Sequence, residues 1–454
     1  MKRKIDMLSG SISDKILAFA IPLALTGILQ QLFNAADIMV VGRFASKQAM
    51  AAVGCNTPVI GLLVNLFVGI SVGANVVIAR FIGQGNSKDI TKTVGTSVFL
   101  SLAGGLFLAV LGQIISRPIL SLMSVPDEVF SMALAYLRIY LAGMPVILLY
   151  NFEAAIFRSN GDTKTPLICL IVAGVLNVAL NLFFVIVLKR NADGVAIATV
   201  LSNLVSSAIM FILLVKSNTD IRLERTELKL NAYILRDILR IGVPAGVQAM
   251  VFSFSNIIIQ SAINSLGADI MAASSAAFNV EIFSYFIVNA FGQACTTFIG
   301  QNYGANQLLR CRKVIHRALI LDIACTVVMS LIIIACARTI LGFFNEDSAV
   351  ISYGRTRILF ITPFQVLNVI MEIFSGALRG YGQSFAPAVI TFFGVCAVRI
   401  TWVCTMFASH GDFNTLLTCY PLSWIVTATI LTVYYVIFSK RLLRGVPEKK
   451  TASQ

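Results

Sequence analysis

Gln30, Asn34 and Asp37 recur at spacings of four and three within a run that is otherwise apolar from Ile16 to Val41. On a helix those spacings put the three side chains on one face. A carboxyl taken out of water holds a proton more readily, so the stripe suits reversible protonation. Pro22, upstream on the same run, removes one backbone hydrogen bond and leaves a place where the helix can bend. Protonation that alters how the stripe packs would then be read out as a bend. The competing reading is positional: Asp37 stands about 33 Å of helix beyond Lys15, which puts it near Arg43 at the outer interface.

Other polar residues interrupt apolar runs elsewhere. Asn177 and Asn181 are four apart and share a face, so they either bond to the Asp37 region or glue helices together. Gln248, Asn256 and Gln260 line a later run at spacings of eight and four. Acids at membrane depth are candidates for function by default. Glu281 and Glu372 are placed to attract a cation. Glu153, five residues before Arg158, is either its ion-pair partner or a cavity group. Asp322 is expected to pair with Arg312 or Arg317. Gly69-x-x-x-Gly73 and Gly242-x-x-x-Gly246 predict close helix contacts. The nine cysteines contain no Cys-x-x-Cys pair and read mostly as small buried hydrophobes. The two histidines, His316 and His410, make no metal motif, so neither metal nor cofactor is expected.

The elements that must carry these residues are membrane spans. Of 454 residues, 57% are hydrophobic and 12% charged, against about 25% charged in soluble domains. A bilayer core of about 30 Å needs about 20 apolar residues. Such runs occur at 16–41, 51–79, 94–116, 129–152, 166–188, 192–215, 238–263, 271–299, 314–337, 352–376, 385–408 and 414–438. The first is too long for a signal-peptide core and reads as a retained helix. Of the 35 Lys and Arg behind the net charge of +14, 25 fall on one side of this topology. Nine fall on the other, with Arg138, Arg355 and Arg357 counted there at helix starts; Arg399 is intramembrane. The positive-inside rule then places both termini in the cytoplasm of a multi-pass plasma-membrane protein. The basic excess is thereby a topology signal rather than a nucleic-acid footprint.

The runs repeat. Ile21-Pro22 matches Val243-Pro244, Phe81-Ile-Gly-Gln84 matches Phe298-Ile-Gly-Gln301, Pro145 matches Pro363, and Phe157-Arg158-x-x-Gly161 matches Leu378-Arg379-x-x-Gly382. Each half has an even number of spans, so the repeat is parallel. The expected fold is an all-α integral membrane protein of about twelve helices in two pseudo-symmetric six-helix bundles. The expected units are 1–215, a charged cytoplasmic linker 216–237, a second bundle 238–440 and a basic tail 441–454. Two bundles rocking about a shared cavity would give alternating access. No Gly-x-x-x-x-Gly-Lys-Ser/Thr loop is present to bind a nucleotide, so uphill transport would draw on an ion gradient.

Several stretches together resemble the multidrug and toxic compound extrusion (MATE) transporters, in their prokaryotic branch. They include Ile21-Pro22 with Asp37-Ile-Met-Val-Val-Gly42, Phe81-Ile-Gly-Gln-Gly-Asn86, and Phe157-Arg-Ser-Asn-Gly-Asp-Thr-Lys-Thr-Pro166. Asn177-Val-Ala-Leu-Asn181, Gly194-Val-Ala-Ile-Ala-Thr199, Phe298-Ile-Gly-Gln-Asn-Tyr-Gly304 and Ser375-Gly-Ala-Leu-Arg-Gly-Tyr381 extend the likeness over roughly 10–440. The resemblance implies a V-shaped pair of bundles that exports organic, often cationic and lipophilic, compounds by antiport with protons or sodium. It also implies an ion-coupling role for Asp37, with Asn34, Asn177 and Asn181 beside it. Gln30, Gln248, Asn256, Glu281, Asn368 and Glu372 are then candidates for substrate contact. Sodium-coupled relatives tend to carry acids in the seventh and tenth helices. Here the seventh has none between Asp237 and Asp269, Asn368 stands where the tenth-helix Asp would, and Glu372 follows one turn on. Asn181 fills a position that is acidic in some relatives. Proton coupling through Asp37 is therefore the expectation.

A lipid-linked saccharide flippase, or an exporter of an endogenous metabolite, is the alternative. A flippase calls for a cationic cavity, and only Arg399 points that way. A channel would need a filter sequence, and an enzyme a paired catalytic set; neither is found. The expected partners are the bilayer, small organic molecules and the coupling ion.

Overall fold

The computed structural model describes residues 4–123, 125–344 and 346–444; residues 445–454 of the basic tail, and the first three residues, lie outside the described residues. Every regular element among the described residues is helical. Among the described residues, twelve helical segments are long and apolar enough to cross a membrane when the bent fourth helix is taken as one span. We label them α1 (Ser13–Phe44), α2 (Lys47–Gln84), α3 (Ser87–Leu122), α4a (Asp127–Ala142) with α4b (Met144–Ser159), α5 (Lys164–Leu182) and α6 (Ala192–Val215). The second set is α7 (Ala232–Asn264), α8 (Ala268–Gly304), α9 (Leu308–Gly342), and α10a (Ser348–Ile361) with α10b (Gln365–Gly380). It ends with α11, running from Phe385 to His410 in alternating α and π turns, and α12 (Phe413–Leu443). Each predicted run lies inside one of these crossings, except that the fifth, which continues α5 as a π-helical turn over Phe183–Val187, is given one residue too many at Leu188.

Large apolar side chains such as Phe107, Ile114, Val175 and Leu331 are exposed. Hydrocarbon solvates such faces, so helices need bury only their contact seams, and the helical form keeps most backbone groups bonded within their own segment.

Helix breaks fall where the repeat predicts them. α4a and α4b meet at Gly143, just before Pro145, with a bend of 49°. Its counterpart Pro363 sits in a 3₁₀ turn, Thr362–Phe364, between α10a and α10b. A proline supplies no N–H to the turn before it, so the helix opens there. The matched glycines after those helices, Gly161 and Gly382, both take left-handed backbone, with φ of +84° and +80°. Only glycine adopts this without strain.

The chain divides into two compact units between Ser253 and Phe254, inside α7. In the first unit α1 packs on α5, α5 on α6, α2 and α3 on α4b, and α4a on α6. One core joins Ile70 and Val77 of α2 with Val94, Phe152, Met210 and Ile238. A second joins Val40 and Val41 with Leu120, Tyr136, Leu137 and Val195. The charged connector at 216–237 lies against this unit. Ile221 and Leu223 are buried, and the Lys229 carbonyl accepts from Thr96 Oγ1 at 3.3 Å.

The two Gly-x-x-x-Gly motifs pack against each other. A Cβ on Gly69 would overlap the Gly246 Cα, and one on Gly73 would overlap Ile238 O and lie 2.8 Å from Gly242 N. Helices can meet backbone to backbone only where side chains are missing.

In the second unit α8 is central, packing on α9, α10a and α10b, while α10b also packs on α12. Its cores are Ala277, Val280, Ile333, Leu341 and Ile358, and Ile259, Ile263, Leu416 and Cys419. All nine cysteines are free thiols. Five are buried as the sequence suggests, while Cys336 and Cys404 are exposed.

Candidate functional site

Asp37 is buried, at 7% exposure, and its surroundings are neutral. Asn181 Nδ2 donates to Asp37 Oδ1 at 2.5 Å and to Asn177 Oδ1 at 3.2 Å. Thr199 Oγ1 lies 3.4 Å from Asp37 Oδ2, and Asn177 Nδ2 donates to that same hydroxyl at 3.4 Å. None of the ion pairs among the described residues involves Asp37.

Periodicity explains why these groups meet. On α5, Gly174, Asn177 and Asn181 follow at three and four; on α1, Phe33 and Asp37 are four apart. Gly174 leaves room for the Phe33 ring, which a Cβ there would overlap. One turn further along, the same seam brings Asn177 and Asn181 to Asp37. Thr199 arrives from α6 because its hydroxyl is fixed by the Val195 carbonyl at 2.9 Å.

A threonine hydroxyl has one hydrogen and two acceptor positions. When it donates to Val195 O, its lone pairs face Asp37 Oδ2 and can accept a proton-bearing carboxyl. Turned the other way, it donates to a carboxylate. The site therefore holds hydrogen-bond partners for both protonation states of Asp37.

Gln30 and Asn34 are exposed and lie outside this network, although they share its helix. Pro22 lies buried within α1. Thr199 is the member that spacing did not single out; a threonine one turn after a helix valine is too common to stand out.

Glu153 is fully buried on α4b. It takes a hydrogen bond from Ser207 at 2.9 Å, and its Oε1 has no partner. Gln248 is buried on α7, within the first unit.

In the second unit the acids have acquired partners. Glu281 receives both Arg357 Nε and Nη2 at 3.1 Å, a bidentate pair with both side chains under 10% exposed. Arg357 thus stands inside α10a rather than at an exposed helix start. Glu372 is paired with Arg379 at 2.5 Å. Asp322 does not meet Arg312 or Arg317, which are exposed. It is fully buried and accepts from Thr326 at 3.2 Å. Asn368 is half-buried and donates to Gln365 at 3.3 Å. Asn256 is exposed and accepts from Arg399 Nη1 at 3.1 Å. Gln260 donates to Asn264 at 2.8 Å.

The MatE family model matches residues 22–183 and 244–403, one segment in each half of the repeat. The probable multidrug resistance protein YoeA of Bacillus subtilis is 29% identical over 436 residues, 93% of each chain. The probable multidrug resistance protein NorM of Thermotoga maritima is 28% identical over 400 residues, 86% of this chain and 84% of that one. A solved outward-facing conformation of a multidrug resistance MATE family transporter superposes with a TM-score of 0.90 at 22% identity. It covers 96% of this chain and 98% of the other. A MATE crystal structure in the bent conformation gives 0.89 at 22%, with the same coverage.

Proposed function

Because the chain belongs to the MatE family, it is a multi-pass membrane transporter and not an enzyme, and we propose that it exports organic compounds by antiport with protons taken up at Asp37. One observation carries the proton assignment: a buried carboxyl served only by the neutral groups of Asn181 and Thr199. A carboxylate kept from water without a cation is costly, and a proton removes that cost.

Proton uptake would turn the Thr199 hydroxyl and loosen the Asn181 bond, changing how α1 sits on α5. Pro22 supplies the bend through which α1 follows. The halves 1–215 and 238–440, joined by the connector 216–237, are the units of alternating access in this reading. The basic excess of one set of loops favours cytoplasmic termini in the plasma membrane.

The compounds are lipophilic, and cations among them would be drawn by Asp37. Glu281 and Glu372 are matched by Arg357 and Arg379, so in this reading they shape the site rather than attract charge. The polar side chains proposed for contact with a bound molecule are Gln30, Asn34 and Gln248 in the first unit and Asn256 and Asn368 in the second, each unit taken by itself.

The test is efflux of a fluorescent lipophilic cation from proteoliposomes under an imposed proton or sodium gradient, with wild type beside Asp37→Asn. Proton-driven flux that the variant loses supports the reading. Flux driven by sodium alone, or unchanged in the variant, overturns the coupling assignment.

A further inference from the structure

Arg399 has no part in proton coupling, yet it is 2% exposed in the middle of α11. All its hydrogen-bond partners are neutral. Nε donates to Ser423 Oγ at 3.1 Å, and Nη1 donates to Asn256 Oδ1 at 3.1 Å and to Ser255 Oγ at 3.5 Å. Its guanidinium carbon lies 4.6 Å from the Tyr420 ring centroid, and that of Arg357 lies 5.5 Å from the same centroid.

The charges around this tyrosine do not balance. Glu281 is fully engaged by Arg357, both carboxylate oxygens being used. Two guanidiniums and one carboxylate leave one positive charge over. Hydroxyls, an amide and a ring face soften a buried cation but do not cancel its charge. Within a membrane-spanning bundle such a charge is costly, and residues of this kind mark ion or substrate pathways. One of its partners is open to the surface: Asn256 is exposed while Ser255 and Ser423 are fully buried. An anion arriving past Asn256 would meet a guanidinium, the Ser255 hydroxyl and an amide, while Ser423, whose own proton goes to Tyr420 O at 2.8 Å, holds Nε in place.

We propose that Arg399, with Asn256, Ser255 and Ser423, forms a site for a singly charged anion, either chloride or the carboxylate of an organic molecule. The site stands apart from the proton reading, for Asp37 belongs to the other compact unit.

The chain carries its own reporter. Its two tryptophans are Trp402, three residues after Arg399 and bonded to Thr415 O at 2.7 Å, and Trp424, adjacent to Ser423 with its ring 6.1 Å from that of Tyr420. The full chain in nanodiscs is titrated with bromide, a heavy-atom quencher, replacing gluconate at constant ionic strength.

The expected result is saturable quenching with a midpoint in the millimolar range, unchanged in Asp37→Asn and reduced to a straight line in Arg399→Gln. Displacement of bromide by benzoate at tenfold lower concentration than by chloride identifies the organic carboxylate. Displacement by chloride at equal or lower concentration identifies the inorganic ion. Arg399→Lys keeps the charge and should saturate at a several-fold higher midpoint; it replaces the glutamine variant if that one does not fold. Linear quenching in the wild type overturns the site, as does a saturable curve that Arg399→Gln leaves in place.

Discussion

Asn181 donates to Asp37 at 2.5 Å across 144 residues of sequence, and this bond fastens the fifth helix to the first. Asn181→Ala removes the closest donor without adding charge. Proton-driven efflux from proteoliposomes should fall by about ten- to a hundredfold, since a charge-assisted bond contributes about 1.5–3 kcal/mol and each 1.4 kcal/mol is a factor of ten. The protein should still fold, because α1 and α5 keep their apolar seam. Wild-type flux in this variant would remove Asn181 from the mechanism.

Thr199→Val keeps the shape and deletes the two-way partner. Thr199→Ser keeps the hydroxyl. We expect the valine variant to lose most proton-driven flux and the serine variant to retain it, read as initial rates under one imposed pH gradient. Equal rates in the two would show that the hydroxyl plays no part.

Gly174→Ala should act on Asp37 from a distance by pushing a methyl into the Phe33 ring. Flux and thermal stability should both drop, the latter by about 1–3 kcal/mol of overpacking. Adding Phe33→Ala opens that space and should restore part of each. A double variant as impaired as the sum of the two singles would mean that the contact does not transmit to Asp37.

The glycine crossing is open to a paired test. Gly69→Ala forces a Cβ onto Gly246 Cα, whereas Gly54 and Gly61 on the same helix have nothing within 4 Å of an added Cβ. Melting temperature in detergent should fall for Gly69→Ala and stay the same or rise for the other two, which gain helix propensity. Equal shifts at all three positions would contradict the close approach.

For the buried pair, Glu281→Gln leaves Arg357 with an uncompensated charge and should cost about 3–5 kcal/mol. Glu281→Leu combined with Arg357→Met should cost far less than either single change, as read by thermal unfolding of the four proteins of the cycle.

Much of the architecture is legible because bilayer thickness and helix rise fix the length of an apolar run. The repeat is legible for a related reason: Pro145 and Pro363 break their helices wherever the surrounding residues lie, so matched prolines mean matched bends. The Asp37 site is half legible. The four-residue spacing on α5 predicts a shared face for Asn177 and Asn181, and that face meets Asp37. Thr199 comes from a third helix, and no local pattern says which helix will be the neighbour. Arg357 and Asp322 depart from the sequence expectation because spacing does not say what lies opposite. Arg357 pairs with Glu281, 76 residues away, and Asp322 turns to Thr326 on its own helix, leaving the nearby arginines to solvent. Spacing reports which face a residue occupies, and only packing reports what it meets there.

The π turns of α5 and α11 carry a consequence of their own. They occupy matched helices of the repeat, at Phe183–Val187 in one and at Phe392–Ala397 and Val403–Phe407 in the other. Each such turn stores one more residue than an α turn would hold. It is slack wound into an otherwise taut rod. If one π turn tightened to α geometry, the surplus residue would pass along the helix. Every side chain beyond it would then swing by about 100° around the axis, the angle set by 3.6 residues per turn. On α11 the stretch between its two π turns holds Arg399, so a one-residue change in winding would turn that guanidinium away from its present partners with no need to tilt the helix.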